Sequence, residues 1–303
     1  MSTLENPMSK DPLEPQSPPM MSGFRLAALI AFAFCIIFLV GYYAGGGGAP
    51  DSSGPPNAPS PPPAATAEAE SGADPEPQEI LTPFLEAAKS GNLAVLSAML
   101  KDGADKEERS NIGRTALMLA SRYGQVEALK LLLDAGSEIE AKDPDGRTSL
   151  MIAARKDQPK TLAALIERNA NIEAVDKDQR TAVAISARHS VVATLTVLLD
   201  KGARIDPRDL DQRTPLLASA RHGQSAAVRE LLSRGADKEA RDKDGRTPLI
   251  LAAKSGDVET LRALLDGGAN INATDNSGKN ALKRAQKDGQ QAAASFLSSR
   301  GAR

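Results

Sequence analysis

The stretch Gly245-Arg246-Thr247-Pro248-Leu249-Ile250-Leu251-Ala252-Ala253-Lys254-Ser255-Gly256-Asp257 decides the fold. Thr247 suits a helix N-cap, and Pro248 suits the first helical turn, where its missing N–H costs nothing. Leu249, Ala252 and Ala253 then make a short helix whose small residues let a neighbour approach closely. Downstream, Val258, Leu261, Leu264 and Leu265 fall on one apolar stripe of a second helix. Gly268 ends that helix by accepting a left-handed backbone, as Gly103, Gly136, Gly202 and Gly235 end theirs; Asn169 stands in once. A lone helix pair of this size cannot bury its apolar face, so it must stack on others.

The others are present. Gly113, Gly146, Gln179, Gln212, Gly245 and Gly278 recur every 33 residues. Each precedes a basic residue: Arg114, Arg147, Arg180, Arg213, Arg246 or Lys279. Thr115, Thr148, Thr181, Thr214 and Thr247 come next, with Asn280 in the last copy. One period upstream, Thr82-Pro83-Phe84-Leu85-Glu86-Ala87-Ala88 keeps the register, which makes seven copies, the last truncated. This period, the phrase at Gly245–Asp257 and the closing phrase Gly268-Ala269-Asn270-Ile271-Asn272 resemble the ankyrin repeat. The resemblance covers residues 80–303. It implies an all-α solenoid in which each unit is a hairpin turn followed by two antiparallel helices.

The column filled inside by Leu119, Ile152, Ile185 and Leu251 holds Glu86 in the first copy and Arg284 in the last, which predicts capped ends. The family's usual helix-A histidine is absent: Met118, Met151, Ala184, Leu217 and Ile250 occupy its column, so apolar contact must replace an inter-repeat hydrogen bond. Asp157 and Ser190 replace turn glycines, and the copies carrying them are expected to be the softest.

The region before the repeats is different in kind. Residues 1–22 are polar and proline-rich and are expected to be disordered. Residues 24–43 contain an eighteen-residue charge-free run from Leu26 to Tyr43, which as a helix covers roughly 27 Å of a hydrocarbon core of about 30 Å. Arg25 and the Tyr42–Tyr43 pair suit its two interfaces. The reading is one uncleaved transmembrane helix; the rival is a signal peptide, whose leading region would be unusually long and acidic. Basic residues Lys10 and Arg25 precede the span and none occurs from residue 26 to 88. The N-terminus is therefore expected in the cytoplasm and the repeats on the far side, the periplasm in a bacterium. Residues 44–79, with nine prolines and six acidic residues, read as a disordered linker spanning roughly 30–36 Å or more.

Only two of the 37 basic residues but nine of the 39 acidic ones lie before residue 80, so the repeat region carries a mild positive excess of five. The first-helix ends concentrate it: Lys89, Arg122, Arg155, Arg188, Arg221, Lys254 and Lys287 form one basic column through all seven copies. Stacking sets such charges about 10 Å apart, near the Debye length at 0.1 M salt, so their fields add on the concave face. An acidic protein partner is the expected ligand. At the hairpin tips Asp145, Asp178, Asp211 and Asp244 are expected to cancel Arg147, Arg180, Arg213 and Arg246. Asp143, Asp176, Asp209, Asp242 and Asp275 are expected to hold the turns through backbone N–H groups.

Tyr123, His189, His222, Ile112 and Leu210 differ from their column mates and are candidates for partner specificity. The two histidines are one repeat apart, too far to share a zinc ion. The single cysteine, Cys35, lies in the apolar run and offers neither a disulfide nor a catalytic nucleophile to the repeats. No metal, cofactor or enzymatic activity is expected. The modest charge and near absence of interleaved aromatics argue against nucleic acid. The expected function is a membrane-tethered, protein-binding adaptor, for instance a periplasmic inhibitor or immunity protein. The alternatives are a small-molecule-binding or enzymatic regulator with a site in the stack, and an architectural spacer.

Overall fold

The computed structural model describes residues 78–303. Fourteen helices appear among them, in seven pairs. The first helices of the pairs are α1 (Pro83–Ser90), α3 (Ala116–Arg122), α5 (Ser149–Arg155), α7 (Ala182–Arg188), α9 (Pro215–Arg221), α11 (Pro248–Ser255) and α13 (Ala281–Lys287). The second helices are α2 (Leu93–Lys101), α4 (Val126–Asp134), α6 (Pro159–Glu167), α8 (Val192–Asp200), α10 (Ser225–Ser233), α12 (Val258–Asp266) and α14 (Gln291–Ser299). First helices pack on first helices of the next copy and second on second, so the domain has two helical rows. Between pairs run hairpins whose only ladder contacts among the described residues are single bridges, Arg109 with Thr115 and Thr274 with Asn280.

Local chemistry builds each unit as the sequence predicts. Thr82, Thr115, Thr181, Thr214 and Thr247 cap their helices by accepting the N–H three residues on, and Asn280 does the same. Thr148 is the exception: its buried hydroxyl has no partner. The core is aliphatic, with Leu117, Leu129, Leu162 and Leu165 fully enclosed. Burying each such side chain stabilises by about 1.5–3 kcal/mol. Met118, Met151, Leu217 and Ile250 are buried too, so apolar contact fills the column where the family usually places histidine.

Left-handed turns end the helices at Gly103, Gly136, Gly202, Gly235 and Gly268, and at Asn169 with φ 63°. Four more non-glycine residues take positive φ: Asp157 (52°), Ser190 (57°), Gln179 (61°) and Gln212 (60°). All five lie in the middle of the stack.

Two ladders of hydrogen bonds tie the copies together. At the tips, Lys177, Leu210, Lys243 and Asn276 donate their N–H to the carbonyls of Asp145, Asp178, Asp211 and Asp244, at 3.0–3.1 Å. Pro144 has no N–H to give, so the corresponding bond to the preceding hairpin is missing. Beyond the second helices, carboxylates of Glu107, Glu140, Glu173 and Glu239 accept the N–H of Glu138, Asn171, Arg204 and Asn270 at 2.7–2.8 Å. Asp206 occupies the same column one methylene short. It reaches Asp237 N–H at 3.1 Å and leaves its other oxygen buried without a partner.

Among the described residues the row of first helices is capped at both ends. Glu86 is exposed and pairs with Lys89 at 3.2 Å, and Arg284 pairs with Asp275 at 2.5 Å. In the other row the column of Ala128, Thr161, Thr194, Ala227, Thr260 and Ala293 is fully buried, yet Val95 is 39% exposed with Leu93 at 41%, because among the described residues no second helix of an earlier copy packs on α2.

Gln78 and Glu79, read from sequence as the end of the linker, belong to the folded unit. The Glu79 carboxylate pairs with Arg114 at 3.1 Å and accepts from the Ser110 hydroxyl at 2.9 Å. Asn111 accepts from Ile80 N–H and donates to the Gln78 carbonyl. The expected tail 1–22, span 24–43 and the rest of the linker 44–79 lie outside the described residues. Within those described, no helix is long and apolar enough to cross a membrane.

Candidate functional site

The basic column stands where the register puts it, in the last turn of every first helix. Lys89, Arg122, Arg155, Arg188, Arg221, Lys254 and Lys287 close α1, α3, α5, α7, α9, α11 and α13. All are exposed or half-buried. Cations at a helix C-terminus face the negative end of its dipole, which stabilises each by about 0.3–1 kcal/mol. The column therefore has a local structural reason as well as a collective field.

Two groups of candidates are brought together. Tyr123 caps α3 with its ring 41% exposed, and it receives Lys89 Nζ from the preceding copy at 5.7 Å and the Arg122 guanidinium at 5.6 Å. It is a cation-bracketed aromatic, apolar on its face and polar at its hydroxyl. Farther along, His189 caps α7 and His222 caps α9. Burial first, then the charges of Arg155, Arg188, His222 and Arg180, push His189 down to about 4. That imidazole is neutral at neutral pH and sits in a positive field supplied by three copies.

The other two candidates stay apart. Leu210 is 65% exposed at a hairpin tip and donates its backbone N–H to Asp178. Ile112 is half-buried in a different hairpin. They form no common patch. Among the described residues no three His, Cys, Asp or Glu side chains stand close enough to hold a metal ion.

The tip aspartates do what the sequence implies. Arg147, Arg180, Arg213 and Arg246 pair with Asp145, Asp178, Asp211 and Asp244 at 2.6–2.8 Å. The inner aspartates Asp143, Asp176, Asp209, Asp242 and Asp275 each accept two backbone N–H groups, two and four residues on, at 2.8–3.0 Å. Burial pushes Asp275 up, but the Ser277 hydroxyl, Lys279 N–H, Arg284 and Ser277 N–H pull its carboxyl down to about 2. Another basic column, unremarked in the sequence, is structural: Arg109, Arg208 and Arg241 each bridge two carbonyls, one in their own hairpin and one 33 residues on. These three arginines are exposed, whereas the arginines of the first-helix column are half-buried, so exposure alone does not tell a structural cation from a docking one.

A family model described as ankyrin repeats matches residues 69–143, 150–242 and 216–303. The chain belongs to the ankyrin-repeat family, and its repeat domain is a protein–protein interaction scaffold. Among solved structures it is similar to the human ASB11 ankyrin repeat domain, with a TM-score of 0.64 and 25% identity, over 73% of this chain and 98% of that one. Comparison with curated protein sequences gives no match.

Proposed function

We propose that the chain is a membrane-tethered adaptor that captures an acidic protein partner on the row of first-helix ends. Residues 24–43 hold it in the bilayer with the N-terminus in the cytoplasm. Residues up to 77 form the tether, and the repeats work on the far side, in the periplasm if the source is bacterial. There it serves as a binding protein, in the manner of an inhibitor or immunity factor.

The observation that carries the acidic partner is the basic column, with Lys89, Arg122, Arg155, Arg188, Arg221, Lys254 and Lys287 in the last turns of all seven first helices. Midway along the row, charges from three copies act on the His189 imidazole. Tyr123, between Lys89 and Arg122, supplies an aromatic anchor nearer the start of the row.

The test reverses the middle of the column. Crosslinking in intact cells, followed by mass spectrometry, identifies proteins joined to the wild-type chain. An Arg155→Glu/Arg188→Glu/Arg221→Glu variant with an unchanged circular dichroism spectrum is expected to lose them. Undiminished crosslinking by that variant rejects electrostatic capture. A topology reporter after Arg303 checks the compartment independently.

A further inference from the structure

Asp157 stands at a turn between paired helices where five of the seven copies carry glycine. At most of these turns a glutamine of the next copy reaches back. Gln125 donates to the Lys89 carbonyl at 3.1 Å and Gln290 to the Lys254 carbonyl at 3.3 Å, each passing over the turn glycine of the copy before. A Cβ on Gly91, Gly124 or Gly256 would overlap the Oε1 of Gln125, Gln158 or Gln290, each 34 residues on. The residue 34 beyond Asp157 is Val191, which has no carboxamide to extend. Here the contact runs the other way. The Asp157 carboxylate reaches forward, and its Oδ1 accepts the N–H of Thr194 at 3.3 Å. Thr194 is the third residue of α8, and its N–H is one that an N-cap side chain ordinarily satisfies. Val191 holds the cap position and makes no such bond. In α2 and α12 the equivalent N–H groups, of Val95 and Thr260, are capped locally by Asn92 and Asp257 at 3.2 and 2.6 Å.

We propose that Asp157 is the N-cap of α8, supplied by the neighbouring copy, and that Asp157 and Val191 are a matched pair that commits the third and fourth copies to each other. Elsewhere a glutamine fills the junction above a glycine; here an aspartate fills it beside a valine. Mixed junctions fail in two ways. A glycine opposite Val191 leaves the first turn of α8 without a side-chain acceptor. A glutamine opposite Asp157 meets the Asp157 Cβ, as the glycine turns show. The pair also explains why an L-residue is kept at a φ of 52°, where glycine is free of strain: the carboxylate is worth more to the next helix than the strain costs at this turn. The two copies it joins carry Arg155 and Arg188, the neighbouring middle members of the basic row. The device belongs to the stack itself and holds whatever partner the domain captures.

The full-length chain and its variants are compared by urea unfolding and by hydrogen exchange of the Thr194 amide, read from overlapping peptides. Residue 157 is no sequence neighbour of Thr194, so substitutions there leave the intrinsic exchange rate unchanged. Asp157→Gly is expected to speed exchange at Thr194 about five- to tenfold, the loss of one cap, without raising the urea midpoint. Asp157→Asn, an equal cap that also tolerates positive φ, is expected to exchange as the wild type does. Val191→Gln is expected to lower the midpoint in the wild-type background and to raise it in the Asp157→Gly background, where it rebuilds the glycine-and-glutamine junction of the other copies. Unaltered Thr194 exchange in Asp157→Gly, or equally fast exchange in Asp157→Asn, overturns the cap. A Val191→Gln effect of the same sign and size in both backgrounds overturns the matched pair.

Discussion

Replacing Gln179 and Gln212 by glycine is expected to stabilise the middle of the stack. Both residues close a hairpin turn, donating N–H to the Asp176 and Asp209 carbonyls at 3.0 and 2.9 Å. Both do so at φ near +60°, where the other hairpins use Gly113, Gly146, Gly245 and Gly278 at 71–80°. A left-handed L-residue costs roughly 1–2 kcal/mol. Glycine removes that but returns about 0.4–1 kcal/mol of unfolded-chain entropy. The two side chains are exposed, so little packing is lost. The net gain is about 0.5 kcal/mol per site and about 1 kcal/mol for the pair, if sites one repeat apart add. The assay is urea unfolding of the whole chain by far-ultraviolet circular dichroism, reading the midpoint at constant m. Two glycine controls calibrate it. Gly278→Ala meets nothing within 4 Å and is expected to cost only the backbone term of about 1 kcal/mol. Gly146→Ala puts a Cβ 3.0 Å from the Lys177 nitrogen and is expected to cost more. A lower midpoint in both glutamine variants, or equal costs in the two controls, refutes the reasoning.

Three further expectations follow from single contacts. Asp176→Ala removes a carboxylate that accepts from Asp178 N–H, Arg180 N–H and the Arg180 guanidinium. Arg180 keeps only its pair with Asp178, so a loss of about 2 kcal/mol is expected by the same unfolding measurement. Asp206→Glu lets the carboxylate reach Asp237 N–H as Glu107, Glu140, Glu173 and Glu239 reach theirs. A gain of about 0.5–1 kcal/mol is expected in thermal melts, and any loss there counts against the ladder. His189, lowered from 6.5 to about 4 in the fold, takes up a proton more readily when unfolded. Its contribution is complete above pH 6.5 and is lost as pH falls towards 4, so the melting temperature falls across that window. His189→Gln is expected to flatten that part of the profile, and an unaltered slope rejects the assignment.

The 33-residue register fixed more of this protein than any other feature of its sequence. It placed all fourteen helices of the described residues in pairs, put threonine caps and glycine stops at their ends, and aligned the basic column at the first-helix termini. Those features are legible because caps, stops and helical stripes are local, set within one turn of backbone. The cancellation of the tip arginines was legible for the same reason, since the aspartate lies two residues away.

Other features depended on neighbours a full repeat away. Nothing local tells Arg109 and Arg208, exposed yet bridging carbonyls, from Arg155 and Arg188, half-buried residues whose charges depress His189. The glutamate ladder, the orphaned oxygen of Asp206, the docking of Glu79 on Arg114 and the exposed Val95 are likewise relations between copies. The sequence by itself determined a stack of helix pairs carrying a cationic row. Only the tertiary structure decided which charges hold one copy to the next, because a hydrogen bond between residues 33 apart exists only once the copies are stacked.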